Sequence, residues 1–377
     1  MHVLMISDGI PTPQYPLPGI FGFDQAKALK KQGVNVTYFG IDLRSIRRTR
    51  TWGIVSGKED GVEWHVINYP VGRVPSPLFI RIGKRGLQKL YSRFINQSNR
   101  PDIVHAHFTE IGAIAASLAK KEKIPFILTE HSSAMNMEFI SPKTLKLAQK
   151  TYGSTNKLLT VSNSLKNNIK KHIGVESTVI PDVVNGDVFF SIKKKEHAGF
   201  GFVCTGRLIF HKRPDLLVRA FAKVHEVFPD SFLGYIGDGN YKTQTMRLVR
   251  ELGLENAVNY YGLKTRREIA EIYEKYDCFV MPSSKETFGV VYIEAMASGL
   301  PVIATKCGGP EDFINKENGI LVDPDCVDQL ATAMCHVYKN RKEYDSVRIR
   351  QYVNENFSGH AIAKRLIKEY KTVDKRK

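Results

Sequence analysis

Cysteine is scarce and scattered: five occur in 377 residues, Cys204, Cys278, Cys307, Cys326 and Cys335, with no C-x-x-C pair. An odd, dispersed set argues against a disulfide framework and against a zinc site, and it fits a reducing cytoplasm. Long apolar runs are missing as well. No stretch approaches the roughly 18 apolar residues that suggest a bilayer span. The opening Met1-His2-Val3-Leu4-Met5-Ile6-Ser7-Asp8 has no basic leader and no small-residue cleavage site, so it reads as a strand and not as a signal peptide. No segment repeats at a fixed period, which excludes a solenoid. Acidic residues are in deficit, 38 Asp+Glu against 55 Lys+Arg, for a formal net charge of +17. The excess is uneven: residues 1–190 hold 25 Lys/Arg against 14 Asp/Glu, and residues 191–377 hold 30 against 24. A basic first half attracts nucleic acid, anionic lipid or phosphorylated small molecules, and charge alone does not choose among them.

What is present is a globular composition, 42% apolar and 25% charged, in a chain long enough for two domains. Short Val/Ile/Leu-rich runs alternate with helical patterns. Val3–Ser7, Val34–Gly40, Ile103–His107, Phe126–Glu130, Leu158–Ser162 and Thr178–Pro181 read as buried parallel strands. The pattern restarts with Phe202–Thr205, Ser231–Ile236, Val258–Tyr260, Cys278–Met281, Pro301–Ala304 and Gly319–Val322. This predicts an α/β chain of two doubly wound, Rossmann-like domains in series, whose strand ends and loops face a common cleft. The polar stretch Ser191–Gly199 marks the break. The expected division is 1–190, 191–353 and a C-terminal helical segment, 354–377, whose Ile362, Leu366, Ile367 and Tyr370 fall on one side.

The most informative stretch runs from Met281 to Pro301. A strand ends near Pro282, a loop follows, and a helix starts near Val290 and stops at Gly299. The backbone N–H groups of Thr287, Phe288, Gly289, Val290 and Val291 therefore form a site suited to phosphate. Glu286 precedes that turn and Glu294 lies about one helical turn inside. A carboxylate at each end of a phosphate cradle suits a nucleotide sugar, one binding sugar hydroxyls and the other ribose. Taken singly, each glutamate also fits a solvated loop or a helix-dipole partner.

Glu286 and Glu294 form an E-x7-E pair followed by Ala-Met-Ala-Ser-Gly-Leu-Pro-Val-Ile-Ala-Thr, and here the chain resembles the retaining GT-B glycosyltransferases of the GT4 family. The resemblance continues through Asp102-Ile103-Val104-His105-Ala106-His107, Thr129-Glu130-His131, Val179-Ile180-Pro181, Gly206-Arg207-Leu208 with Lys212 and Pro214-Asp215-Leu216-Leu217, Gly237-Asp238-Gly239 and Tyr261-Gly262. It implies a GT-B fold with donor held mainly by the second domain and acceptor by the first. Arg207 and Lys212, spaced R-x4-K, would bind the diphosphate and stabilise the charge that develops on it. His131 would lie against the donor sugar, with Glu130 an alternative contact. The family's Gly-Gly pair near the first loop is replaced by Gly19-Ile20-Phe21-Gly22, so Gly19 and Gly22 are both candidates for close approach to the donor phosphates, beside the plain reading of a turn. Glu286, His131, Arg207 and Lys212 are the expected catalytic set.

Neither metal nor cofactor is expected. Asp323-Pro324-Asp325 has the D-x-D form of a metal site, but it ends a strand before the helix Val327–Val337, so Asp325 is expected to cap that helix. Gly237-Asp238-Gly239 lacks the rest of a G-x-G-x-x-G loop. Between Leu78 and Ile95 an apolar stripe of Leu87, Leu90, Tyr91 and Phe94 alternates with Arg81, Lys84, Arg85, Lys89 and Arg93. This fits a surface helix packed on the sheet, or one lying on an anionic membrane, with Arg44, Arg47, Arg48 and Arg50 extending the basic face.

The resulting expectation is a retaining hexosyltransferase of cytoplasmic location, with a peripheral position on the inner face of the plasma membrane left open. It would use a nucleotide-diphosphate sugar and a saccharide or lipid-linked acceptor in bacterial polysaccharide biosynthesis, with no nucleic-acid partner. A nucleotide-sugar epimerase and a basic lipid- or nucleic-acid-binding module are the alternatives.

Overall fold

The computed structural model describes residues 1–190 and 195–374. They form two compact units, Met1–Val183 with Gly359–Lys377, and Val184–Ser358. Residues 191–194 of the expected linker lie outside the described residues. The units meet the chain at 183/184 and 358/359, against the expected 190/191 and 353/354. Packing explains the difference. Phe189 is fully buried with its ring 6.2 Å from Tyr273, and Phe357 packs on Phe288 and Phe313, so both flanking segments belong to the second unit. The two ends of that unit are joined by Val184 N–H donating to Phe357 O at 2.9 Å.

The first unit is built on strands β1 (His2–Ser7), β2 (Asn35–Arg44), β3 (Gly53–Glu59), β4 (Val62–Pro70), β5 (Ile103–His107), β6 (Phe126–Glu130), β7 (Lys157–Thr160) and β8 (Thr178–Val179), in the order β3-β4-β2-β1-β5-β6-β7-β8. All neighbours are parallel except the β3–β4 hairpin. That hairpin was not expected, although its signal is present. It turns at Asp60-Gly61, both with positive φ, the pair a tight two-residue turn favours. The helices Ile20–Lys31 and Gly359–Val373 share a core with Val3, Met5, Phe23, Ala26, Ile362, Leu366 and Tyr370. The helix Ser76–Phe94 buries Leu87, Leu90 and Tyr91. It approaches closely through Gly83, where a Cβ would lie 2.3 Å from Ile114 Cδ1, while Phe94 stacks on His65 at 3.6 Å. Its apolar stripe therefore packs on protein, and its cations point outward.

The second unit contains β9 (Phe200–Thr205), β10 (Ser231–Ile236), β11 (Val258–Gly262), β12 (Cys278–Met281), β13 (Val302–Thr305) and β14 (Gly319–Val322), all parallel, in the order β11-β10-β9-β12-β13-β14. In each unit the strand order reverses beside its first strand, between β1 and β5 and between β9 and β12. Loops leaving these strand ends diverge to opposite faces and open a crevice, the usual place for a ligand in such a sheet.

Candidate active site

At the switch point of the second unit, β9 leads into Gly206-Arg207-Leu208 and a 3-10 turn, Phe210–Lys212, while β12 leads into the loop before the helix Val290–Ala297. The two loops are tied together: Ser284 N–H donates to His211 O at 2.8 Å, and the Lys212 ammonium pairs with the Glu286 carboxylate. Glu286 is 8% exposed and also accepts from Ser283 Oγ at 2.7 Å. Its backbone pairs with the segment after β13, donating to Cys307 O at 2.9 Å and accepting from Gly309 N at 3.1 Å. A Cβ on Gly309 would sit 2.3 Å from Phe288 Cα, so glycine is required for that approach. Ser283 and Gly308-Gly309 escaped the sequence reading, although a Gly-Gly pair shortly after a strand was the available sign.

Gly289, with φ of +94°, starts the helix and no side chain caps it, so the first-turn N–H groups face the crevice edge uncapped by a side chain. Glu294 is 4% exposed on this almost wholly apolar helix. A carboxylate so buried needs a partner, and Arg266 Nε stands 3.2 Å from it. Arg266 begins the helix after β11, held by a Thr265/Glu268 capping box. No local pattern marked this arginine out. Arg207 is exposed at the end of β9. The backbone around it is fixed by Gly237-Asp238-Gly239: Cβ atoms on the two glycines would lie 2.0 Å from Gly206 O and 2.2 Å from Leu208 O. Close loop packing accounts for that motif.

One expectation about another residue needs revision. Asp325 does not cap a helix. It adopts a left-handed conformation and pairs with Arg213, and Cys326 occupies the N-cap without a side-chain bond, because the chain must turn sharply after β14. Asp323 pairs with Lys306 at 2.7 Å, and among the described residues no group of three His, Cys, Asp or Glu is arranged to hold a metal. Nearby thiols are inert at neutral pH, since burial pushes Cys204 and Cys307 up to about 12.

In the first unit, Gly19 and Gly22 follow β1. Gly19 has φ of +68°, donates to Asp8 Oδ1 at 2.9 Å, and leaves no room for a Cβ, which would meet Gly9 O at 2.2 Å and Tyr38 Oη at 2.5 Å. At Gly22 a Cβ would lie 3.0 Å from His107 Cδ2 and 3.2 Å from Ser7 Cβ, so the backbone packs closely on both. Both glycines are thus explained by packing within this unit. His131 follows β6 with its side chain 2% exposed, stacked on Phe21 at 5.2 Å and 5.0 Å from the ring of Phe108. Phe108, directly after β5, holds a strained φ of +69°. Glu130 has its carboxylate filled: it accepts from the N–H groups of His131 and Ser132 at 2.9 and 2.8 Å, from Tyr152 Oη at 2.9 Å, and from Thr109. It shapes the loop that carries His131. A cavity of about 540 Å3 opens at the same sheet edge, lined by Arg44, Phe79, Phe108, Met135, Lys143 and Leu147 among others.

Two doubly wound units in one chain, each with a loop-lined switch point beside its first strand, define the GT-B class of glycosyltransferase fold. Residues 22–187 match the profile described as Glycosyltransferase Family 4, and residues 188–353 that of Glycosyl transferases group 1; the chain belongs to the GT4-type glycosyltransferases. It is 26% identical over 405 residues to TuaC of Bacillus subtilis, a glycosyltransferase assigned to teichuronic acid biosynthesis, covering 100% of this chain and 99% of that one. Its fold is similar to that of sucrose-phosphate synthase from Thermosynechococcus elongatus, with a TM-score of 0.78, 19% identity and coverage of 99% and 98% of the two chains. It is also similar to the Anabaena protein HepE in complex with UDP and glucose, with a TM-score of 0.74, 18% identity and coverage of 98% and 99%. Neither the epimerase nor the binding module is favoured by these relationships.

Proposed function

We propose that this transferase is a retaining hexosyltransferase that takes its sugar from a nucleoside-diphosphate donor and adds it to a saccharide or lipid-linked hydroxyl in bacterial polysaccharide assembly. The observation that carries the proposal is the arrangement at the second switch point: Lys212 paired with buried Glu286, beside a helix N-terminus that no side chain caps. Arg207, Lys212 and the Thr287–Val291 backbone would take the diphosphate, Glu286 the hydroxyls of the sugar, and Glu294 the ribose. As the bond from the anomeric carbon to the phosphate oxygen breaks, negative charge grows on the leaving diphosphate, where preorganised cations and dipoles stabilise it. The acceptor oxygen bonds to the anomeric carbon on the same face, and its proton passes to the departing phosphate oxygen. HepE was solved with UDP and glucose, which makes UDP the first nucleotide to try.

Acceptor binding is assigned to the cavity near Arg44, Phe79 and Lys143, whose lining mixes apolar side chains with charges of both signs, Asp8 and Glu110 among them, and so suits an amphiphile. Peripheral attachment to an anionic membrane is supported by exposed Leu17, Ile46, Trp52 and Leu78, with Arg47, Arg73 and Arg81 exposed on the same loops and helix start. A thermal-shift series with UDP, GDP and ADP tests the donor site. A ligand at about 100 times its dissociation constant stabilises by about 2.7 kcal/mol. The anomeric configuration of the product, read by NMR, tests retention. No shift with any of the three nucleotides, or an inverted product, overturns the corresponding part.

A further inference from the structure

Three buried histidines, His105 and His107 on β5 and His131 just after β6, lie side by side. His107 Nδ1 lies 2.9 Å from His131 Nε2. On its other side, His131 Nδ1 lies 3.1 Å from Asp182 Oδ1, with the two side chains 2% and 4% exposed. The approach is off the line of a good hydrogen bond, yet it brings a buried carboxylate oxygen against a ring nitrogen. A lone pair on that nitrogen would face the negative oxygen and be repelled, so Nδ1 must carry the hydrogen. His107 Nε2 is buried, has no partner, and faces Gly22. An N–H there would waste a donor in an apolar wall, whereas a lone pair costs less. Burial and the neighbouring His105 and His131 also keep His107 neutral, far below the usual imidazole range. Only one proton pattern satisfies all these conditions: His107 Nδ1–H to His131 Nε2, and His131 Nδ1–H to Asp182.

We infer that Asp182 is a positioning residue that fixes His131 in the Nδ1–H tautomer, so that Nε2 is a hydrogen-bond acceptor held in reserve by His107 and offered to a hydroxyl of the sugar substrate. The second half of this rests on the transferase reading of the preceding section; the tautomer does not. Asp182 follows β8 through Pro181, and the acceptor state of His131 dictates what it recognises: a hydroxyl that donates. Phe21 and Phe108 hold the ring in place while the partner at Nε2 is exchanged.

The test is a long-range 1H–15N spectrum of the full chain labelled at its 11 histidines, with His131 assigned by its loss in His131→Gln. The wild type is expected to show His131 as Nδ1–H. Asp182→Asn, whose amide can present either a carbonyl or an NH2, is expected to mix the tautomers. It should also lower kcat by about 10–100-fold, the range for losing a carboxylate behind a metal-bound histidine, with UDP affinity unchanged. An Nε2–H form in the wild type, an unaltered His131 signal in Asp182→Asn, or wild-type kcat in that variant overturns the inference. Because the wild-type spectrum needs no turnover, and its assignment needs only a folded His131→Gln, failure of the transferase reading would leave the tautomer result standing.

Discussion

Glu286 and Glu294 are both buried carboxylates, but they are neutralised differently: Glu286 by a lysine that is itself a candidate phosphate ligand, Glu294 by Arg266 on a neighbouring helix. Ribose is common to donor, product and transition state, so its contact is uniform binding. The transferred sugar becomes cationic and planar as it reacts, and contacts to it act on the rate. Glu286→Gln is therefore expected to lower kcat by about 100-fold with UDP affinity nearly intact. Glu294→Gln should raise donor KM and weaken UDP inhibition. Equal loss of UDP affinity in the two variants would remove the assignment of sugar and ribose. Arg266→Ala strips a partner from a carboxylate that is 4% exposed. It should cost about 3 kcal/mol of stability, the low end for breaking a buried pair, measured by urea unfolding. Its donor KM should rise as in Glu294→Gln. On the proposed reading the diphosphate would be met by Arg207, Lys212 and a helix N-terminus, so turnover is expected to persist in excess chelator; complete loss restored by manganese would show otherwise.

At the scale of elements, the helix Ser76–Phe94 shows how one pattern serves two readings. The i, i+3, i+4, i+7 stripe is as consistent with a membrane as with a sheet. The structure turns Leu87, Leu90 and Tyr91 inward and leaves Arg81, Lys84, Arg85 and Lys89 at the surface or close to it. Attachment to anionic vesicles should then be electrostatic, weak and salt-sensitive, each cation contributing about 1 kcal/mol near the surface. Replacing Arg81, Lys84, Arg85 and Lys89 with Gln should abolish vesicle sedimentation without altering the melting temperature. Unchanged sedimentation would move the contact to Leu17, Ile46 and Trp52 or dismiss it. The β3–β4 hairpin is a contrasting element. Its Asp60-Gly61 turn was legible, but the flanking residues are too mixed in polarity to announce strands; β4 gains burial by pairing with β2, while β3, paired only with β4, stays partly exposed along its length.

Across the whole molecule, the buried histidines predict a response to acid. Burial lowers His105 to about 3 from an ordinary value near 6.5, so the folded state holds it neutral where the unfolded chain would protonate it. Its contribution is fully present above the unfolded value and is lost as pH falls toward the folded one, at about 1.4 kcal/mol per unit of pH. Between pH 6.5 and 5 unfolding free energy should drop by about 2 kcal/mol through this group alone, with His107 adding to the loss. Urea midpoints at the two pH values check this, and a flat profile would contradict a neutral buried His105. Apart from the β3–β4 hairpin, the order of strands, the parallel sheets, the glycine-stopped helix after β12 and the E-x7-E spacing follow from the sequence by itself, because hydrophobic period, strand length and helix-terminus chemistry are local and act wherever the chain goes. The tertiary structure alone decided the rest. It set Arg266 against Glu294, Asp182 against His131, and Gly308-Gly309 under the Glu286 loop; it gave Asp325 to Arg213 instead of to a helix cap. Each of these is a pairing of buried charge or backbone between segments distant in sequence, and the need for a partner can be read locally while its identity depends on which strand ends the sheet brings together.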